Sequence, residues 1–227
     1  MARELAGKGY VVAGVDFKNF GESAGDSRGQ LESFKELVEV SSEFAVRVKN
    51  KYPKLKVFMG GMSLGGAVAF NVSLQHSFFD GLVMVCPSIR QNRFHYPVLK
   101  KLTTFLSFFM PQARLLKSDG RNGCKYLMDD YVKKDPLIYT GRVWVKTVQQ
   151  ILWGMQSTSR KYNQLSAPYL LVQAGSDKLV DPFACLDLEA ASPSSDKTTV
   201  LVHGMWHAVW FDDHLYDVVR VVGEWLD

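Results

Sequence analysis

The predicted fold is built around one glycine-rich segment, Gly60-Gly61-Met62-Ser63-Leu64-Gly65-Gly66. An apolar run, Lys56–Met59, precedes it, and an apolar stretch with helical periodicity, Ala67–Leu74, follows it. Ser63 therefore lies where a strand turns sharply into a helix, which is the context that the G-x-S-x-G motif requires. We expect Gly61 and Gly65 to be glycines because a Cβ atom there would collide where strand and helix pass closely. The alternative is an ordinary glycine-rich turn with a solvated serine.

Four further apolar runs predict strands, and helical patterns separate them. Runs that are apolar on both faces are typical of strands in a parallel sheet covered by helices. The sequence therefore predicts an α/β fold with a doubly wound, mostly parallel sheet and helices on both faces. The predicted strands are Tyr10–Asp16, Gly81–Pro87, Tyr169–Gly175 and Thr198–Gly204, and the clearest helical patterns are Gln30–Tyr52 and Val209–Leu226.

The regular alternation of strands and helices breaks down after Pro87 for about seventy residues. The break predicts an insertion over residues 88–160 in a core formed by residues 1–87 and 161–227. Within the insertion, His95–Met110 and Thr140–Trp153 have helical spacing.

Composition indicates one globular domain. Of 227 residues, 47% are hydrophobic and 22% are charged, and the longest bulky apolar run, Phe105–Met110, is far below the roughly 20 residues of a spanning helix. Met1–Tyr10 lacks the long apolar region of a signal peptide. The three cysteines are odd in number and have no metal-ligand spacing, which favours reduced thiols in a cytoplasmic protein, with Cys86 in the core.

Basic charge is concentrated in the segment Ser88–Lys146, which holds twelve Lys or Arg residues and four Asp or Glu residues. Bulky apolar residues beside positive charge suit peripheral contact with an anionic membrane. The alternative is that the aromatic residues pack on the core and the charges are solvated. No nucleic-acid-reading motif accompanies the charge, so we expect no nucleic-acid partner. The residues are Phe105, Leu106, Phe108, Phe109 and Met110 beside Arg90, Arg93, Lys100, Lys101, Arg114 and Lys117.

A serine hydroxyl reacts only when a base takes its proton and a carboxylate orients that base. Asp177 and His207 each follow a predicted strand, and active sites of open α/β sheets gather beyond the carboxyl ends of the strands. The chain order Ser63, Asp177, His207 is the order that the α/β-hydrolase fold demands. Asp181 is the alternative acid and His203 the alternative base, but Asp181 lies further from its strand and His203 lies within one.

We assign no catalytic or metal-binding role to several other polar residues. His203 and His207 do not lie on a predicted helix and no acidic motif accompanies them, so we expect no metal and no cofactor. Asp16 is interpreted as a carboxylate that braces its loop. Asn71 begins a glycosylation sequon but falls on the helix behind Ser63, where the sequon has no expected role.

The chain resembles the monoacylglycerol lipase and serine-aminopeptidase-type branch of the α/β-hydrolases, which includes lysophospholipases and caffeoyl-ester hydrolases. The resemblance implies Ser63 as nucleophile, Asp177 as acid, His207 as general base and the backbone N–H of Leu64 as an oxyanion donor. It also implies that the insertion forms a helical cap over the serine. The matching segments are Asp16–Ser23, Gly61–Gly65, Asp135-Pro136, Ala167-Pro168, Gly175–Asp177 and Gly204–His207.

Two departures from the family concern the N-terminal part. Lys18-Asn19-Phe20 replaces the family's R-G-H, so the hydrogen bonding of that loop must differ. The family's N-terminal strands, and the His-Gly loop that supplies a second oxyanion N–H, are missing here. We therefore expect one of two outcomes. Either the chain is a fragment, with a strand missing between Tyr10–Asp16 and the strand before Ser63, or these two strands pair directly with each other.

The function implied by the resemblance is hydrolysis of a carboxylic ester, a monoacylglycerol or a lysophospholipid, through an acyl-enzyme. The alternatives are acyl transfer to an alcohol, and an inactive or weakly active remnant that binds lipid or a partner.

Overall fold

A computed structural model describes residues 1–90, 101, 104–106, 109–110, 112–114 and 134–227. Among these residues, four strands form one parallel sheet in the order β1-β2-β3-β4. Each corresponds to a predicted strand, which confirms the parallel α/β architecture. The strands are β1 (Phe58–Met62), β2 (Gly81–Val85), β3 (Tyr169–Ala174) and β4 (Lys197–Val202).

Helices connect and flank these strands. Within the part of the chain that the structure describes, none of them is long and apolar enough to cross a membrane. The helices with defined bounds are α1 (Ala2–Gly7), α2 (Phe34–Lys51), α3 (Leu64–Ser73), α4 (Val145–Ser159), α5 (Ala184–Ala191) and α6 (Leu215–Leu226), with short 3₁₀ helices at Tyr162–Gln164 and Val209–Phe211.

Helices α2 and α6 begin later in the chain than the apolar pattern predicted, and local side chains determine where each one begins. The Ser33 hydroxyl accepts a hydrogen bond from the Glu36 N–H at the start of α2, as an N-cap does. The final helix begins at Leu215 rather than Val209 because the Asp212 carboxylate accepts the His214 N–H and holds the preceding residues in a turn.

The two faces of the sheet carry different cores. Leu82 and Met84 of β2 pack in a cluster with residues of α2, α3 and α5, whereas Val83 and Val85 pack in a second cluster with residues of α6. This is the two-residue period of a strand that is buried on both faces. The doubly wound arrangement follows, with α2 and α3 on one face and α6 on the other.

The prediction that Tyr10–Asp16 forms a strand is wrong. The segment has no strand assignment, and Val11 and Val12 are 53% and 46% exposed. β1 pairs with β2, and no described strand pairs with its other edge. A strand that is apolar on both faces becomes buried when it pairs with neighbouring strands in a sheet, and no described strand pairs with this segment. Asp16 does brace its loop, since its carboxylate accepts the Glu22 N–H at 2.9 Å.

The predicted insertion, residues 88–160, falls partly outside the described residues, and its boundaries stay a prediction. Most of His95–Met110 lies outside them, although the described residues 101, 104–106 and 109 are helical. Helix α4 packs on α2 and α3. Asn71 is buried and donates a hydrogen bond to Thr158 of α4, so this residue of the sequon links two helices.

Candidate active site

Ser63 lies between β1 and α3 with φ 52° and ψ −119°. Few residues other than glycine adopt this conformation without strain. Gly61 is required as expected, because a Cβ atom there would collide with the Gly65 carbonyl group. The expectation for Gly65 is wrong: a Cβ atom there would meet nothing within 4 Å. Close packing requires glycine at position 66 instead, because a Cβ atom added to Gly66 would lie only 2.8 Å from Pro87 Cβ.

Asp177 follows β3, and four donors face its carboxylate. Its Oδ1 accepts the N–H groups of Leu179 and Val180 at 2.9 and 3.0 Å, and its Oδ2 accepts the Gln173 side-chain amide at 3.3 Å. The fourth is His207 Nδ1, 2.7 Å from Oδ2. These bonds hold a fully buried carboxylate in one orientation.

His207 joins the other two predicted residues. Its Nε2 lies 2.8 Å from Ser63 Oγ, and its side chain is only 8% exposed. An ionised carboxylate can only accept hydrogen bonds, so the neutral imidazole carries its proton on Nδ1 and Nε2 is the acceptor. Ser63 therefore donates to His207, and the arrangement can carry the serine proton to the imidazole.

The alternative acid and base lie elsewhere. Asp181 Oδ2 accepts a hydrogen bond from Arg90 at 3.0 Å and its Oδ1 accepts the Phe183 N–H at 3.0 Å. His203 is exposed. The structure brings Asp177 and His207, rather than Asp181 and His203, to Ser63.

Leu64, the predicted oxyanion donor, is the first residue of α3. Helix geometry leaves the N–H of such a residue without an acceptor inside the helix. It follows Ser63 directly in the chain, so its N–H can donate to the oxygen of a carbonyl group whose carbon lies next to Ser63 Oγ.

Cys86 directly follows β2 and is fully buried, as expected. Its Sγ, an Asp177 oxygen and a His207 nitrogen lie within 4.8 Å of one another. Burial and the Asp177 charge raise the pKa of the Cys86 thiol to about 12. Asp177 Oδ2 and His207 Nδ1 already bind each other, so the Asp177–His207 contact accounts for this group of residues and we assign no metal ion to it.

Three contacts that the sequence did not reveal hold the Asp177 and His207 loops. Asp212 Oδ2 accepts the N–H of Trp206, the neighbour of His207, at 2.8 Å. The Lys178 ammonium lies 4.1 Å from the centre of a Trp206 ring, and the Ser176 N–H donates to the Met205 carbonyl at 3.0 Å. The contacts of Lys178 and Ser176 join loops that are far apart in sequence, so no local motif indicates them.

The parallel sheet, the strained serine between β1 and α3, and the buried acid and histidine at neighbouring strand ends define an α/β-hydrolase. Residues 1–214 match the sequence pattern of the family described as serine aminopeptidase, S33. The chain belongs to this family, which confirms the predicted resemblance.

Relatives and solved structures agree with this membership. The chain is 29% identical over 215 residues to monoglyceride lipase of Rattus norvegicus, covering 92% of this chain and 70% of that protein. It is 23% identical to monoacylglycerol lipase of Mycolicibacterium smegmatis, covering 100% and 81%. The crystal structure of Paleococcus ferrophilus monoacylglycerol lipase has a TM-score of 0.78 at 21% identity and covers 93% of this chain and 80% of that chain.

Replacing Asp212 by asparagine is expected to destabilise the protein by about 1–3 kcal/mol. The amide keeps one acceptor oxygen but presents its NH2 group to either the Trp206 N–H or the His214 N–H, which then lacks an acceptor. Burial tends to raise the pKa of Asp212, but hydrogen bonds from His214 and the Trp206 N–H outweigh it and hold the pKa below its ordinary value of 3.8. The unfolded chain then binds the proton more readily, so this stabilisation is present above pH 3.8 and is lost as the pH falls through the lowered pKa.

Urea unfolding at about pH 3 and about pH 6 measures both effects. The Asp212→Asn variant should lose less stability between these values than the unaltered protein. Asp217→Asn, at an exposed position of α6, is the matched control. Equal acid sensitivity of Asp212→Asn and the unaltered protein would contradict the prediction.

Proposed function

We propose that the protein hydrolyses carboxylic esters, with Ser63 as nucleophile, His207 as general base and Asp177 as the acid that orients it. The observation that carries the proposal is the continuous hydrogen-bonded series from Asp177 to His207 at 2.7 Å and from His207 to Ser63 at 2.8 Å. Such a series supplies what a serine needs to react at neutral pH, namely a base within reach and a carboxylate that fixes the base.

The reaction proceeds in two halves. Ser63 Oγ attacks the carbonyl carbon while His207 Nε2 takes its proton, and the imidazolium then protonates the departing alcohol. Water attacks the resulting acyl-enzyme, gives a proton to His207, and the acid leaves as Ser63 recovers that proton. The Leu64 N–H donates to the carbonyl oxygen as its charge develops.

A monoacylglycerol or a lysophospholipid is the substrate class that we propose. The relatives bearing the name monoglyceride lipase support it. Two apolar side chains in the segment after β3 support it as well. Leu179, two residues after Asp177, is 44% exposed, and Phe183, two residues after Asp181, is 59% exposed. Exposed apolar side chains of this kind suit contact with an acyl chain.

Contact with an anionic membrane and a cytoplasmic location belong to the same proposal. Phe105, Phe109 and Met110 are exposed, which favours a lipid-facing role over packing on the core. Of the six basic residues, Arg90 pairs with Asp181 and Asp187, and Arg114 lies over the Trp144 ring. Lys101 is exposed, and the rest lie outside the described residues.

A fluorophosphonate probe tests the proposal directly, because it reacts only with an activated serine. We expect covalent labelling that peptide mass spectrometry assigns to Ser63. We also expect release of oleic acid from monooleoylglycerol or from oleoyl-lysophosphatidylcholine. Absence of labelling, or labelling of another serine, would contradict the proposal.

A second candidate, a lipid- or partner-binding module with little turnover, is favoured by one observation: β1 is paired on one side only among the described strands. Binding to phosphatidylserine vesicles without hydrolysis of monooleoylglycerol would support it. Acyl transfer uses the same residues, and an added alcohol such as glycerol would then give a new ester as product.

A further inference from the structure

Ser88 places a second hydroxyl against the nucleophile. It lies three residues beyond the end of β2, is only 3% exposed, and its Oγ is 3.1 Å from Ser63 Oγ. Its backbone N–H also donates to the Ser63 carbonyl at 2.9 Å. The backbone bond fixes the two residues relative to each other whatever side chain Ser88 carries.

The direction of the hydroxyl–hydroxyl bond follows from counting protons. Ser63 has one hydroxyl proton, and it points to His207 Nε2 when that nitrogen is the acceptor. Ser63 Oγ therefore has no proton left for Ser88. Ser88 is the donor, and Ser63 Oγ accepts this bond while it donates to His207.

We propose that Ser88 is a further catalytic residue, whose hydroxyl stabilises Ser63 Oγ as it leaves the acyl group in the second half of the reaction. The inference rests on the proposed ester hydrolysis. When the tetrahedral intermediate collapses, the bond between the acyl carbon and Ser63 Oγ breaks and its electron pair goes to Oγ. The imidazolium of His207 returns the proton that it took from water, and Ser88 keeps its own proton throughout.

The hydroxyl assists this half of the reaction more than the first because the two starting states differ. In the free enzyme Ser63 Oγ already accepts the Ser88 hydrogen bond, so attack on the ester gains only a small increment. In the acyl-enzyme Ser63 Oγ is an ester oxygen, a weak acceptor. The bond forms at full strength only as negative charge develops on the departing oxygen, which is the condition for accelerating a step.

Burst kinetics with p-nitrophenyl butyrate separate the two halves, since the burst reports acylation of Ser63 and the steady state reports deacylation. We expect Ser88→Ala to slow deacylation about fivefold while acylation changes less than about twofold, as loss of one hydrogen bond predicts. Fluorophosphonate should label the variant at the rate of the unaltered protein. Ser73→Ala, which removes a buried hydroxyl bonded to Phe70, is the matched control and should change neither rate.

Equal slowing of both halves, or no slowing of deacylation, would overturn the role of Ser88 even if the unaltered protein shows a burst and is labelled. Absence of a burst and of labelling in the unaltered protein would instead refute the proposed function. If circular dichroism shows that Ser88→Ala does not fold, the second variant is Ser88→Cys, which replaces the hydroxyl by a slightly larger thiol that is a weak donor. Ser88→Cys should also slow deacylation more than acylation. If it does not, the inference about Ser88 is overturned.

Discussion

Replacing Ser63 by alanine is expected to lower kcat for ester hydrolysis by about 10⁶-fold and to abolish fluorophosphonate labelling. The reason is geometric as well as chemical. Ser63 Oγ is the atom that contacts both His207 Nε2, at 2.8 Å, and the Ser88 hydroxyl, at 3.1 Å, so its removal leaves the base without a group to activate. Residual activity near that of the unaltered protein would show that another residue attacks the ester.

The same position allows a test of backbone strain. Ser63 has φ 52° and ψ −119°, a conformation that glycine adopts freely and residues with a Cβ atom do not. We expect Ser63→Gly to be more stable than Ser63→Ala by about 1–3 kcal/mol, although both are inactive. The measurement is urea unfolding of the two variants.

Position 41 supplies the matched control for this comparison, because Ser41 is buried within α2. There the order should reverse, with Ser41→Gly less stable than Ser41→Ala by about 1 kcal/mol. If glycine is the less stable choice at both positions, Ser63 does not carry the strain that its φ and ψ indicate.

The sequence predicted the parts of this site that depend on the strands of a parallel sheet. The apolar runs before Ser63 and Asp177 form β1 and β3, and both residues fall at carboxyl ends of strands. Parallel strands end at the same edge of their sheet, so the order of residues along the chain was enough to bring Ser63, Asp177 and His207 together.

The features that the sequence did not predict depend on tertiary contacts, which the spacing of apolar residues along the chain does not reveal. Tyr10–Asp16 has the composition of a buried strand but no strand partner among the described residues, so it stays exposed. Gly66, rather than Gly65, is the glycine that close packing requires, because Pro87 approaches it from beyond β2. Ser88 contacts Ser63 from a separate loop, 25 residues away in the chain. Such contacts exist only once the sheet has formed.

Replacing Asp177 by asparagine is expected to lower kcat by about 10⁴-fold. Asp177 Oδ2 faces His207 Nδ1 at 2.7 Å. In the proposed mechanism, the carboxylate keeps the imidazole proton on Nδ1 and stabilises the imidazolium that forms when Ser63 is deprotonated. An asparagine amide can donate to Nδ1, which would place the imidazole proton on Nε2 and leave no acceptor for Ser63.

Asp181→Asn is the matched control because Asp181 lies four residues away and is also buried. Its carboxylate binds Arg90 rather than His207, so its replacement should reduce the free energy of unfolding and change kcat by less than about tenfold. Steady-state hydrolysis of p-nitrophenyl butyrate and urea unfolding of both variants separate these effects. A larger loss of kcat in Asp181→Asn than in Asp177→Asn would reverse the assignment of the acid, because only the residue that holds the imidazole controls proton transfer from Ser63.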